Sequence, residues 1–266
     1  MLTVSHLYIY PIKSLGGISL EKATLTDRGF QHDRRWMLVD AENRFLTQRE
    51  LPKMALLQVQ LNADTLSIHH RHTGDSIHIP FTPTGAPCTV TVWDDTCEAQ
   101  YVDKIADEWF SRMLSLPCRL VYMPESSQRK VDPNYAQGDE ITSFSDGYPL
   151  LLVGQASLDD LNSRLSHPLP MERFRPNIVF TGGTPFQEDE MAAFNIAGIT
   201  FYGVKPCARC VIPTIDLNTG EKGKEPLKTL SKYRQRDNKI FFGQNLLLDP
   251  AAKAGSISVG DAITLL

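Results

Sequence analysis

The sequence predicts a β-rich α+β fold with a few helices. Short apolar runs rich in β-branched side chains recur along the 266 residues, separated by Gly, Pro, Asn and Asp. This is the pattern of strands joined by tight turns. Helical spacing of apolar residues over several turns is first met at residues 103–116. A chain of this length can bury one large β-rich core or two modest ones.

The first hundred residues predict a succession of strands. Strands are expected over residues 2–12, 18–25, 36–39 and 45–47, with a glycine-containing loop over 13–17 after the first. The runs 66–72 and 76–79 around a Thr-Gly-Asp turn predict a β-hairpin. His70, His72 and His78 are expected on a solvated face of this hairpin, because no carboxylate or cysteine completes a metal-ligand set beside them.

A helix over residues 103–116 is expected to close the first part of the chain. Ile105, Trp109, Phe110, Met113 and Leu114 recur at helical spacing and are predicted to be core residues, and a proline follows at position 117. We place a boundary between two parts near residue 118.

The second part is predicted to mix strands with short helices. A polar loop is expected over 124–140, with its charged residues, Arg129 among them, facing solvent. Ser157 is expected to cap a helix. The remaining predicted elements are a strand over 119–123, a buried strand after residue 177, a hairpin over 194–201, a strand on each side of residues 207–210, a short helix from 225, and closing strands over 241–246 and 256–266.

Composition excludes several classes of function. A formal net charge of −4 argues against a protein whose main task is binding nucleic-acid polymers. No apolar run approaches the roughly 20 residues that a membrane-spanning helix needs, and the N-terminus lacks the pattern of a signal peptide. Five cysteines, an odd number, do not suggest a secreted disulfide framework. We therefore expect a cytoplasmic protein.

The segment Cys207-Ala208-Arg209-Cys210 carries the strongest chemical signal in the chain. A thiol beside a guanidinium favours its ionised form, which is both a better nucleophile and a better ligand for a soft metal. On the residues alone, a dithiol redox pair, a structural zinc site, or a buried Cys207 with an incidental Cys210 all remain open. The other cysteines stand singly and are expected to be core residues.

Four arginines stand where predicted strands begin or end: Arg34, Arg49, Arg175 and Arg209. Arginine offers a planar fork of donors that matches phosphate and carboxylate groups. Surface ion pairs, such as those of Arg34 with Asp33 and Arg49 with Glu50, are the alternative for each arginine taken singly. As a set, they predict that several loops converge on one anionic ligand, and the loop carrying Lys13 and Ser14 offers further donors.

These motifs together resemble those of a known family. They are Tyr10-Pro11-Ile12-Lys13-Ser14, Asp33-Arg34-Arg35-Trp36, Thr47-Gln48-Arg49, Ser145-Asp146-Gly147, Ala156-Ser157-Leu158-Asp159-Asp160-Leu161-Asn162, Phe174-Arg175-Pro176-Asn177, Cys207-Ala208-Arg209-Cys210 and Phe242-Gly243-Gln244-Asn245. Their order and spacing resemble MOSC-domain proteins that carry a MOSC N-terminal β-barrel domain, within them the bacterial YcbX-type proteins and the mitochondrial amidoxime-reducing components. The resemblance implies a MOSC N-terminal β-barrel part over 1–118 and a MOSC mixed β-barrel domain over 119–266.

The resemblance also implies a molybdenum cofactor, a pterin with a dithiolene and a phosphate. The family's metal-ligating cysteine falls on Cys210, and Asp146 falls on a loop that faces the metal. The positions that would hold the pterin and its phosphate are Lys13, Ser14, Arg34, Arg175, Asn177 and Arg209, with further matches at Thr47, Arg49 and Gln244. Cys207 is then a structural companion of the ligand.

The implied reaction is a two-electron reduction of small N-hydroxylated compounds such as hydroxylamino-purines, amidoximes and hydroxylamines. In the cell this would detoxify N-hydroxylated bases. Many YcbX-type proteins continue into a ferredoxin-like domain with a four-cysteine cluster motif, which this sequence lacks. Electrons would therefore come from a separate flavoprotein or iron–sulfur protein, unless the chain is a shortened piece of a longer one. The alternative function is a molybdenum-cofactor or sulfur carrier without turnover, since related MOSC domains occur in molybdenum-cofactor sulfurases.

Overall fold

The computed structural model describes residues 1–249 and 255–266. Over these residues the strands are β1 (Leu2–Ile9), β2 (Ile18–Leu20), β3 (Lys22–Thr26), β4 (Gly29–Phe30), β5 (Trp36–Val39), β6 (Leu57–Leu61), β7 (Thr65–His70), β8 (Ser76–Pro80), β9 (Pro87–Val92), β10 (Asp95–Tyr101), β11 (Arg119–Tyr122), β12 (Leu150–Gly154), β13 (Ile178–Thr181), β14 (Ala193–Ile196), β15 (Ile199–Ala208), β16 (Gln235–Arg236), β17 (Lys239–Leu248), β18 (Gly255–Ser258) and β19 (Ala262–Leu265). The α-helices are α1 (Lys104–Leu114), α2 (Gln155–Ser163) and α3 (Leu227–Leu230). Short 3₁₀ turns lie at Pro52–Leu56, Met171–Phe174, Gln187–Glu190 and Ile212–Thr214.

Seven strands close into a mixed barrel. Their order around it is β12-β13-β1-β19-β14-β15-β17, and β17 pairs back with β12. Only the β12–β13 pair is parallel. The interior is filled by apolar side chains from these strands, among them the stacked rings of Phe194 and Phe201. The predicted β-rich fold is confirmed.

Of the remaining strands, β2 pairs with β1 and β16 pairs with β17, and the other ten form smaller sheets beside the barrel. One has the order β5-β11-β10-β9, and two three-stranded sheets are β18-β3-β4 and β6-β7-β8. Helix α1 covers a second core, in which Trp36 and Phe110 are fully buried. Pairings cross residue 118 in both directions, since β1 pairs with β13 and β19 while β11 pairs with β5 and β10. The division at residue 118 stays a prediction.

Several predicted elements are present. The hairpin of β7 and β8, the helix α1 and the hairpin of β14 and β15 are confirmed. The side chain of Asp103 caps α1 by accepting a hydrogen bond from the Ala106 N–H at 2.7 Å. Within this helix the prediction that Ile105 is a core residue is wrong, since Ile105 is 73% exposed. No helix of the described residues has both the length and the apolar character needed to cross a membrane.

Four other predictions about local structure are wrong. The run Val211–Ile215 was predicted to be a strand, but it contains the 3₁₀ turn Ile212–Thr214. Pro213 disfavours a strand here, because proline fixes its own φ and has no N–H to donate to a neighbouring strand. The range 45–47 makes one isolated bridge, from Phe45 to Val39, and no strand. The first strand ends at Ile9, three residues before the predicted end.

The fourth concerns Ser157, which lies inside α2 and does not cap it. Gly154 occupies the cap position. The Ser157 hydroxyl is buried and donates to Glu188 Oε2 at 2.7 Å, while it accepts from the Phe186 N–H. The hydroxyl thus ties α2 to a neighbouring turn, which the local sequence pattern does not show.

Candidate cofactor site

One cleft of about 260 Å³ collects most of the residues singled out from the sequence. Lining it are Lys13, Ser14, Arg34, Arg49, Asp146, Arg175, Asn177, Arg209 and Cys210, together with Cys207, Lys205 and Tyr148. The predicted convergence of four arginines is confirmed. Two predicted site residues, Thr47 and Gln244, are buried and do not line this cleft.

Barrel topology explains why distant residues meet here. Because β1 is antiparallel to β13, and β12 is parallel to β13, the end of β1 and the starts of β12 and β13 lie at one edge of the barrel. Lys13 follows β1, Asp146 precedes β12, and Arg175 precedes β13. The Cys207–Cys210 segment arrives on β15, whose register against β17 shifts twice near the cleft. Bulges of this kind bend a strand and redirect its side chains.

Lys13 and Asp146 form the polar floor of the cleft. The Lys13 ammonium donates to Asp146 Oδ1 at 2.6 Å and to the Phe144 carbonyl at 2.7 Å. Arg49 Nη2 lies 3.2 Å from Asp146 Oδ2. One carboxylate therefore holds two cations that come from different loops.

The two partners of this pair are desolvated to different extents. The Lys13 side chain is 6% exposed and that of Asp146 is 59% exposed. Burial lowers the pKa of Lys13 to about 8, although Asp146 opposes the change. Burial acts to raise the pKa of Asp146, but Lys13 and Arg49 outweigh it and hold that pKa well below its usual range. At neutral pH Asp146 is therefore ionised. Lys13, with a pKa of about 8, is the member of the pair that titrates nearer to neutral pH.

Arg34 and Arg175 lie against the same buried ring, that of Tyr10. Their guanidinium carbons are 4.5 Å and 4.1 Å from its centroid. Both residues have left-handed backbones, with φ of 49° and 56°, a conformation that costs about 1–2 kcal/mol in a non-glycine residue. Burial lowers the pKa of Arg175 to about 10 and raises that of Tyr10. The phenol therefore stays neutral beside two cations.

Asp33 and Asn177 fix the position of Arg34. Asp33 Oδ2 lies 2.6 Å from Arg34 Nη1, and Asp33 Oδ1 accepts from the Tyr10 N–H at 2.7 Å. Asn177 Oδ1 accepts from Arg34 Nη1 at 3.0 Å, while its Nδ2 donates to the Tyr8 carbonyl. The alternative of a surface ion pair for Arg34 is wrong, because Asp33 is 1% exposed.

Arg209 of the Cys-x-x-Cys segment donates to a thiol and to a backbone carbonyl. Its Nη1 donates to Cys207 Sγ at 3.2 Å, and its Nη2 donates to the Phe174 carbonyl at 2.7 Å. The guanidinium thus contacts the thiol of Cys207, although Arg209 adjoins Cys210 in sequence. Cys210 is half-buried and lines the cleft, and all five cysteines are free thiols. Among the described residues, no three His, Cys, Asp or Glu side chains are grouped as a metal site.

Comparison with known proteins identifies the family of this chain. Residues 1–117 match the MOSC N-terminal beta barrel domain, and residues 139–264 match the MOSC domain. The chain is 34% identical to mitochondrial amidoxime-reducing component 1 of Mus musculus, in an alignment that covers 99% of this chain and 82% of that protein. The chain belongs to the MOSC-domain family. The human protein of the same name is also 34% identical, with 99% and 83% coverage, and the rice molybdenum cofactor sulfurase is 31% identical over 90% of this chain but 32% of its own length.

This MOSC-domain protein also has cleft residues that sequence reasoning missed. The Lys205 ammonium lies 4.1 Å from the ring centroid of Tyr135 and 5.7 Å from that of Tyr148. Lys205 and Tyr148 line the cleft. Tyr135 belongs to the loop predicted over 124–140. Its contact with Lys205 therefore joins two distant parts of the sequence. The sequence contained one indication of this. Lys205 lies two residues before Cys207 in a predicted strand, and residues two apart in a strand share a face.

Arg129 is a second missed residue in this MOSC-domain protein, and its predicted exposure is wrong. It is 4% exposed and donates through Nη1 to the carbonyls of Ser143 and Ser145, at 2.9 and 2.7 Å. Asp95 accepts from its Nε at 2.8 Å. Arg129 therefore fixes the loop that presents Asp146 to the cleft.

Proposed function

We propose that this chain is a molybdenum-cofactor-dependent reductase of small N-hydroxylated compounds. The observation that carries the proposal is the meeting of six cationic side chains, one carboxylate and Cys210 in a single cleft. Support comes from relatives named as amidoxime-reducing components and as a molybdenum cofactor sulfurase.

The residues of the cleft fit an anionic pterin cofactor. Its cations are Lys13, Arg34, Arg49, Arg175, Lys205 and Arg209, and its single acidic side chain is Asp146. Such an excess of positive charge suits a phosphate group, and guanidinium forks add directional hydrogen bonds. We assign Arg34, Arg175, Arg209 and Lys13 to the cofactor. Ser14 and Arg49 would add contacts at the same wall, and Asn177 would act by holding Arg34.

Cys210 is the residue that we assign as protein ligand to the metal. A thiolate is the soft donor that a second- or third-row metal would take, and this sulfur lies at the cleft wall. Cys207, by contrast, is engaged by Arg209 and packs against the apolar cluster around Phe174 and Phe242.

Reduction of an N–OH group to N–H consumes two electrons and two protons and releases water. When bound, a molybdenum cofactor supplies the two-electron chemistry that removes the oxygen. Asp146, ionised at neutral pH, can accept a hydrogen bond from the substrate N–OH and orient it. Lys13 Nζ, with a pKa of about 8, can hold a proton close to the point of release. The protein thus supplies binding, orientation and proton placement.

Electrons would come from a separate flavoprotein or iron–sulfur protein. The cytoplasmic location stays a prediction from cysteine number and the N-terminal sequence. We expect cellular substrates to be small N-hydroxylated bases and amidoximes, so that the reaction removes toxic N-hydroxylated compounds.

Substitution of the two cysteines tests this function. Cys210→Ser, in protein prepared with the cofactor, should reduce molybdenum content and abolish reduction of a hydroxylamino-purine by a chemically reduced viologen dye. Cys207→Ser is the matched control, because it removes a thiol from the same segment and should retain most of the metal and the turnover. Molybdenum is measured by elemental analysis and turnover by product chromatography.

Two results would contradict the proposal. Equal metal content and equal turnover in wild type and Cys210→Ser would remove the ligand assignment. Wild-type protein that contains the molybdenum cofactor but never reduces an N-hydroxylated compound would instead indicate a carrier.

A further inference from the structure

The segment 222–239 has a charge opposite to that of the rest of the chain. It contains seven of the 27 Lys and Arg residues but two of the 31 Asp and Glu residues, so it is net +5 in a chain of net −4. The remainder of the chain is therefore net −9. Such a concentration of one sign produces a local positive potential that differs from the field of the whole molecule.

Six of these cations point to solvent: Lys222, Lys224, Lys228, Lys232, Arg236 and Lys239. Within residues 1–249 and 255–266 no carboxylate lies within ion-pair distance of any of the six, whereas the seventh, Arg234, pairs internally with Asp189 at 2.6 Å. Their charge is therefore available to a partner.

Both ends of the segment are tied to the cofactor cleft. Lys222 Nζ donates to the Arg49 carbonyl at 2.6 Å, and Arg49 lines the cleft. At the other end Lys239 precedes Ile240, whose carbonyl accepts from the Arg209 N–H at 2.7 Å. The two ends of the segment therefore lie against Arg49 and Arg209, two residues that line the cleft.

An exposed apolar residue adjoins the cleft-lining Cys210 in sequence. Val211, directly after Cys210, is 43% exposed. Transient redox complexes bury small interfaces, and interfaces in general combine an apolar centre with a polar rim. An exposed Val211 next to Cys210, together with exposed cations on a segment joined to the same cleft, provides both components.

We propose that residues 222–239 are the docking surface for an acidic electron-donor protein. The proposal rests on the reductase function proposed above and specifies its partner by charge. Each turnover needs two electrons, which a one-electron flavoprotein or iron–sulfur protein delivers in two encounters, while the two protons come from water. Charge complementarity would raise the rate of each encounter and orient the donor toward Cys210.

An acidic protein fits this surface better than RNA or an anionic membrane. A long polyanion would extend past both the segment and the cationic cleft to the rest of the chain, which carries a net negative charge. A small acidic domain can cover the segment without that repulsion.

Charge reversal on the segment tests the proposal. Lys228→Glu/Lys232→Glu removes two exposed cations that lie outside the cofactor cleft. The matched control is Lys22→Glu/Lys104→Glu, an equal change at two exposed lysines on β3 and α1. The donors are a plant-type [2Fe–2S] ferredoxin and a flavodoxin, both acidic proteins, and reduced viologen dye serves as a small donor without a docking surface.

We expect the Lys228/Lys232 variant to lose about tenfold in kcat/KM for both protein donors at low salt, within the range of electrostatically steered association. Its turnover with the viologen dye should equal that of wild type, and the control pair should be unaffected with every donor. Binding of the oxidised donors, followed by surface plasmon resonance, should weaken in parallel and should fall as salt is raised from about 20 to 300 mM.

The outcomes separate this proposal from the proposed function. Equal donor binding and equal kcat/KM in the variant and the control would overturn the docking surface. Loss of binding to phosphatidylserine vesicles or to single-stranded RNA in the variant, without any loss of donor binding, would assign the segment to those ligands instead. Failure of the wild type to turn over with viologen would contradict the reductase function, and the binding measurement would still decide the docking surface.

Discussion

Replacement of Asp33 by asparagine tests the ion pair that supports Arg34 beneath the cleft. Asp33 is 1% exposed and lies 2.6 Å from Arg34 Nη1. Asparagine has nearly the same shape, and its oxygen can still accept the Tyr10 N–H that Asp33 now binds at 2.7 Å. The amide nitrogen then takes the place of Oδ2 and faces Arg34 Nη1 as a second donor, so the substitution removes both the negative charge and the acceptor of Arg34.

The cost follows from what remains around Arg34. Removing one partner of a buried ion pair typically costs about 3–5 kcal/mol, because the other charge is left uncompensated. Arg34 retains hydrogen bonds to Asn177 Oδ1 at 3.0 Å and to the Arg175 carbonyl at 3.3 Å, and its side chain is 13% exposed. Partial compensation puts the expected loss near the lower end, about 3 kcal/mol.

Urea unfolding at pH 7 of the protein without added cofactor measures this loss directly. Asp139→Asn is the control, because Asp139 pairs with Lys130 at 3.0 Å but is 99% exposed, and such pairs contribute little. A loss below about 1 kcal/mol for Asp33→Asn would refute the reasoning that Asp33 neutralises a buried guanidinium. A similar loss for both variants would show that the effect is unrelated to burial.

Two further predictions concern the ammonium in the cleft and a glycine of the barrel. Burial lowers the folded-state pKa of Lys13 to about 8, below the roughly 10.4 of an unfolded lysine. Between these two pH values the unfolded state binds more protons than the folded state. The free energy of unfolding should therefore rise with pH across that window. Unfolding measured at pH 7 and pH 10 should show wild type gaining stability relative to Lys13→Met, and a pH-independent difference would contradict the assigned pKa. Gly243 has φ of +86°, and an added Cβ would lie 2.9 Å from the Leu152 carbonyl oxygen, so Gly243→Ala should cost both backbone strain and overpacking, about 2 kcal/mol or more. Gly74→Ala is its control, since Gly74 has a similar φ of +73° but open space around its Cβ position; equal thermal shifts in the two variants would remove the packing part of the argument.

Local pattern in the sequence predicted the elements whose stability is local. Helix α1 has both a periodic apolar face and a capping side chain, and the β7–β8 hairpin has its turn residues between alternating runs. Prediction was wrong where a long-range contact decides the conformation. Arg129 looks like a solvated loop residue, yet the carbonyls of Ser143 and Ser145 are acceptors in the fold, and only the folded chain brings them within reach.

The candidate site shows the same division. The identities of Arg34, Arg175 and Cys210 could be read from motifs, and the structure brings them to one cleft. The residues that hold these side chains in position could not be predicted from motifs. Asp33 adjoins Arg34 in sequence, but whether that pair is at the surface or buried depends on Tyr10, which follows β1, and on Asn177, which precedes β13.

The order of strands in the barrel explains why the site cannot belong to one half of the chain. Lys13 and Asp146 are 133 positions apart and lie 2.6 Å from each other, because β1 is inserted between β13 and β19 of the barrel. Removing β1 would open the barrel and would also take away the loop that carries Lys13. The same strand therefore completes the fold and delivers one wall of the cleft. It follows that the Cys207–Cys210 segment can serve a cofactor only after the N-terminal strand has joined the sheet, so that cofactor binding and barrel closure should stabilise each other.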